Sequence, residues 1–150
     1  MAALGLAAAV IGVAEIGGEG LVALLADRFG KRRAILTGLL LNVLAALLFP
    51  FLGSSLIGAI TGLFLLYVTF EFLFVSSIPL MTEILPKARA TLMALNITSA
   101  SLGRALGSLL GPELYARGFV LNIAALVLFN LVAFLCLYQV RIRAEEGSAE

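Results

Sequence analysis

Residues Ile35–Phe70 read ILTGLLLNVLAALLFPFLGSSLIGAITGLFLLYVTF and carry no charge. A helix needs about 20 residues to cross the hydrocarbon core of a bilayer, so this run is too long for one crossing. Gly53-Ser54-Ser55, just after Pro50, is the natural break. Working outward from it, the apolar stretches predict helices over about 3–26, 34–52, 56–81, 90–112 and 118–140. Residues 1–143 then form one all-α, five-span transmembrane domain, and 144–150 are a polar tail.

The composition agrees. Of the 150 residues 62% are apolar and only 13% charged, and the mean hydropathy is +1.14. A soluble domain has about 45–50% and about 25%. The net charge of +1 gives no basic surplus for nucleic acid. One cysteine and no histidine exclude a disulfide framework, the common zinc sites and Ser-His-Asp or Cys-His catalysis. Asp27 is the only aspartate, so an Asp–Asp dyad is excluded as well. No enzymatic activity, cofactor or metal is expected, and the inventory argues against an intramembrane hydrolase.

The basic residues set an orientation. Arg28, Lys31, Arg32 and Arg33 follow the first span, Lys87 and Arg89 the third, and Arg141 and Arg143 the fifth. Eight of the ten basic residues thus fall on one side, which predicts a cytoplasmic C-terminus. With five spans the N-terminus falls outside. No basic residue precedes Arg28, so the first span reads as retained rather than as a signal peptide. An odd span count beginning outside predicts that something is missing upstream. The Ala-, Leu- and Arg-rich usage suggests a bacterial inner membrane, crossed several times.

The junction after the first span reads Ala23-Leu-Leu-Ala-Asp27-Arg28-Phe-Gly30-Lys31-Arg32-Arg33. It resembles the Gly-x-x-x-Asp-Arg-x-Gly-Arg-Arg cytoplasmic loop of the major facilitator superfamily, with the small Ala23 where the family usually has glycine. A second segment is also similar to that family: Glu83-Ile-Leu-Pro86-Lys-Ala-Arg89-Ala-Thr, followed by a glycine-rich span ending Gly111-Pro112. In the family such a segment joins the tenth and eleventh helices. The resemblance implies that the five spans are helices eight to twelve of a twelve-helix secondary transporter, whose C-terminal half here lacks its first helix. It implies as partners a small-molecule substrate, the lipid bilayer and the missing N-terminal half. It also implies that Asp27, Arg28, Gly30, Lys31, Arg32, Arg33, Glu83 and Arg89 belong to a gate holding the inward side shut. Helix dipoles point the same way. Asp27 at a helix C-terminus, and Lys87 and Arg89 at a helix start, each sit where the dipole disfavours their charge by about 0.3–1 kcal/mol. Both ends therefore seek partners of opposite character. The plainer alternative is that residues 28–33 only anchor the topology.

Charges inside the spans each cost about 2.5–3.5 kcal/mol on insertion scales and need a reason. Glu15 and Glu19 lie one turn apart on one helix face, which Gly12 and Ala8 continue. At 1.5 Å per residue they stand roughly 18 and 12 Å above Asp27, and Glu71 roughly 15 Å above Met81. Three carboxylates thus share one level near mid-membrane. Arg104, roughly 21 Å above Ala90, reaches back toward them. Burial disfavours a carboxylate's charged form and a nearby cation favours it, so such a layer can exchange a proton near neutral pH. Glu15, Glu19, Glu71 and Arg104 are accordingly the candidates for proton coupling or substrate contact, as secondary transporters place such groups near the midplane. The alternative is structural ion pairing, or permanently protonated carboxyls.

Asn42, Asn96, Asn122 and Asn130 read as interhelical hydrogen-bonding points. Gly103, Gly107 and Gly111, with Ser99 before them, form a small-residue stripe suited to helix packing, and Gly58 and Gly62 begin another. Phe70, Phe72 and Phe74 alternate around their helix, which predicts no single aromatic face. Two functions compete. The first is a proton-coupled transporter working by alternating access, with acids in an apolar lining favouring export of lipophilic or cationic compounds. The second is a stand-alone structural or assembly module without transport.

Overall fold

The computed structural model of the chain describes residues 2–84 and 86–139. It contains α1 (Ala2–Phe29), α2 (Lys31–Leu52), α3 (Leu56–Ile84), α4 (Arg89–Arg117) and α5 (Phe119–Gln139), with a 3-10 turn at Pro86–Ala88 before α4. Among the described residues there is no strand. A chain this apolar has to satisfy its backbone groups within each segment when it enters lipid, which only helices and closed barrels achieve.

The breaks have local causes. Gly30, with φ of 78°, takes a left-handed backbone that strains any L side chain, and it separates α1 from α2. Gly53 ends α2 by donating its N–H to the Phe49 carbonyl at 2.9 Å. Ser55 then caps α3, its hydroxyl accepting the Gly58 N–H at 3.0 Å. Gly118 (φ 136°) turns the chain between α4 and α5.

The helices run past the apolar spans into their flanking charged residues. Pro112, expected at the end of the fourth span, lies inside α4, which continues to Arg117. Pro50 and Pro79 likewise sit within α2 and α3. Membrane helices tolerate proline because neighbouring helices and Ser or Thr hydroxyls take up the freed backbone groups. Close to Pro79, the Thr82 hydroxyl donates to the Pro79 carbonyl at 2.8 Å.

Four helices are long and apolar enough to cross a membrane: α1, α2, α3 and α5. α4 has the length, at 29 residues, but carries Arg89, Arg104, Glu113 and Arg117 and has no buried residue. The chain is thus an all-α membrane protein with five helices among the described residues, four of them long and apolar enough to span a bilayer.

α3 is the hub. It packs most extensively against α2 and α1, while α5 leans on α2 and α4. Two small apolar clusters form there. Val22, Ala34 and Phe72 join α1, α2 and α3. Ile35, Leu39 and Leu80 join α2 to α3, with Leu73 and Leu137 packed against them. Most large apolar side chains, such as Phe51, Ile57 and Leu128, are exposed. That is the surface lipid would meet, and in lipid close packing rather than hydrophobic burial drives helix association.

Polar groups supply the remaining ties. Asn42 of α2, only 3% exposed, donates to the Leu66 carbonyl and the Thr69 hydroxyl of α3, both at 3.0 Å. Its own carbonyl oxygen accepts from Asn130 of α5 at 3.2 Å. One side chain thereby binds three helices. Asn96 and Asn122 make no such interhelical bond among the described residues. Phe70 and Phe74 stack at 5.9 Å while Phe72 turns into the core. Two of the three rings therefore share a face after all, because residues four apart on a helix are neighbours.

Candidate functional site

The acidic layer is organised by a glycine. Ala14, Gly18 and Val22 form the buried stripe of α1. At Gly18 the α1 backbone rests on α3. A Cβ built there would lie 2.6 Å from the Glu71 Cβ, 3.0 Å from the Val68 carbonyl oxygen and 3.1 Å from the Phe72 amide nitrogen. No side chain fits in that space. Gly17 adds contact with Val68 at 3.6 Å. Glu15 and Glu19 stand just off this stripe and are exposed, whereas Glu71 is half-buried at the crossing. Glu15 and Glu19 of α1 thus flank the crossing at which Glu71 of α3 lies, while Arg104 of α4 is exposed.

The charged junctions meet at one end of the bundle. Lys31, the first residue of α2, forms a salt bridge with Glu83 in the last turn of α3. Arg32 crosses to α5, where its Nη2 donates to the Tyr138 carbonyl at 3.1 Å and its guanidinium carbon lies 6.0 Å from the Tyr138 ring centre. The last four carbonyls of a helix lack intrahelical donors, and a cation there also meets the negative end of the dipole. The α1–α2 junction and the ends of α3 and α5 therefore share one end. Arg28, Arg33 and Arg89 are exposed. The Asp27 side chain, Arg141, Arg143 and the polar tail lie outside the described residues.

Gly103, Gly107 and Gly111 make no close packing within this chain, since a Cβ at each would meet nothing within 4 Å. The close glycine contacts lie elsewhere: Gly18 on Glu71, Gly38 on Leu73 (2.7 Å to its Cβ), Gly58 on the Leu52 carbonyl and Gly62 on the Phe49 ring (2.8 Å). Of these, Gly58 and Gly62 belonged to a stripe visible in the sequence. Tyr138 also went unnoticed there. Its one signal was an aromatic residue at the orphan-carbonyl end of α5.

This combination, a bundle of long apolar helices with a charged junction at one end, is that of a multi-pass membrane protein. A model of the Major Facilitator Superfamily matches residues 1–150, and the chain belongs to that family of membrane transporters. No curated protein and no solved structure matches it.

Proposed function

We propose that the chain is the C-terminal part of a proton-coupled secondary transporter, in which Glu15, Glu19, Glu71 and Arg104 bind the coupling proton or the substrate. In this reading a complementary N-terminal half walls the other side of the path, and the two halves alternate access. The exposed, charge-bearing α4 supports the idea, because a helix with Arg104 at depth has to face protein or a water-filled path rather than lipid. The end carrying the Lys31–Glu83 bridge is the cytoplasmic one, where that bridge and the neighbouring Arg28, Arg33 and Arg89 serve the gate. The acids favour a cationic, lipophilic substrate moved outward.

The observation that carries this reading is the tight α1–α3 crossing, where Gly18, next to Glu19 and three residues from Glu15, packs on Glu71. Neutralising the layer tests it. The full-length protein is assayed in everted vesicles with an imposed pH gradient, using a lipophilic cation such as tetraphenylphosphonium as probe. Replacing Glu15, Glu19 and Glu71 together by Gln abolishes gradient-driven movement. Movement with unchanged pH dependence in that triple variant refutes the assignment.

A further inference from the structure

One face of α2 runs through Arg33, Leu36, Leu40 and Val43, repeating at three and four residues. Leu36, Leu40 and Val43, with Asn130, Leu131 and Phe134 of α5, bound a largely apolar cavity of about 510 Å³ between the two helices, and Arg33 lies one helical turn before Leu36, outside that lining. From Arg33 to Val43 the face measures roughly 15 Å along the axis. That is half of a hydrocarbon core of about 30 Å, the depth of one leaflet.

The two ends differ. The inner end stops at Asn130, whose amide is already engaged by Asn42 and the Leu126 carbonyl. The outer end opens beside the first turn of α2, where Arg33 is exposed and Lys31 is held by Glu83. Arg32 bridges to Tyr138 there, and its Nε is buried without a hydrogen-bond partner among the described residues. Tyr138 in turn stacks on Phe134 at 6.5 Å, so the cationic end is continuous with the cavity wall.

We propose that this groove binds an anionic phospholipid, with one acyl chain lying between α2 and α5 and the phosphate on Arg33 and Arg32. The apolar length matches one leaflet, and the guanidinium groups lie at the depth of a headgroup, where they bind phosphate in paired hydrogen bonds. A protein helix seated in the groove leaves the exposed Arg33 without a counter-charge.

The test measures lipid retained by the full-length protein after reconstitution into equal mixtures of phosphatidylglycerol and phosphatidylcholine, read by native mass spectrometry. The wild type retains phosphatidylglycerol over phosphatidylcholine by about fivefold. Arg33→Gln removes the preference and Arg33→Lys keeps most of it. Leu40→Trp and Leu131→Trp, each filling the groove, lower retention of both lipids. Equal retention by the wild type overturns the proposal. So does lipid retention that the tryptophan variants leave undiminished, which marks adsorption at the headgroup level only. Cross-linking of position 40 to a protein segment, with no lipid retained, assigns the groove to a helix instead.

Discussion

Gly18 of α1 packs against Glu71 of α3 so closely that a Cβ on the glycine would fall 2.6 Å from the Cβ of the glutamate. The contact fixes where α1 crosses α3, and with it the level at which Glu15 and Glu19 stand relative to Glu71. Packing and the electrostatics of the acidic layer therefore rest on the same residue.

Gly18→Leu should force the two helices apart. Overpacking of this kind costs about 1–3 kcal/mol. Gly20→Leu, at a position with nothing within 4 Å, should shift stability by no more than about 1 kcal/mol. Thermal unfolding of the purified protein in detergent compares the two. Equal melting temperatures would show that α1 does not press on α3 at Gly18.

Asn42→Ala removes the hydrogen bonds to Leu66 and Thr69 and the acceptor for Asn130 at once. Asn130→Ala removes only one interhelical bond, so it should be the milder change. Membrane hydrogen bonds of this type average about 0.6 kcal/mol and reach about 1.7. A double-mutant cycle on unfolding free energy should give a coupling between Asn42 and Asn130 near the lower figure. Strict additivity would mean that α2 and α5 are not tied through this pair.

The Lys31–Glu83 bridge, with side chains 33% and 55% exposed, should contribute about 0.2–1 kcal/mol and weaken in high salt. Lys31→Glu sets two acids against each other, and adding Glu83→Lys should restore most of the lost stability. Failure of the swapped pair to recover, at low as well as high salt, would show that the two residues act separately.

These expectations also mark how far the sequence could be read. The uncharged run around Gly53-Ser54-Ser55 disclosed the α2–α3 break, and Asp27-Arg28-x-Gly30 the family, because charge and backbone strain leave local signals. The faces that meet left none. In lipid both the packed and the lipid-facing sides of a helix are apolar, so periodicity cannot separate them. Gly103, Gly107 and Gly111 looked like the packing stripe and face open space, while Gly18, flanked by Gly17 and Glu19, carries the close approach to the Glu71 Cβ. Asn130 and Asn42, 88 positions apart, could be recognised as polar points but not as partners. The acids and Arg104 could be placed at one depth by counting residues. That α1 crosses α3 at Glu71 is something no local pattern announces.

The account stands or falls on whether Glu71 exchanges a proton as part of that layer. Dicyclohexylcarbodiimide modifies protonated carboxyls in apolar surroundings, and peptide mass spectrometry reads the modified position. In membranes containing the full-length protein, Glu71 should be labelled, its labelling should fall as pH is raised, and Glu15→Gln with Glu19→Gln should displace that fall along the pH axis. Labelling of Glu71 that is absent, or that is indifferent both to pH and to the two substitutions, would contradict the account.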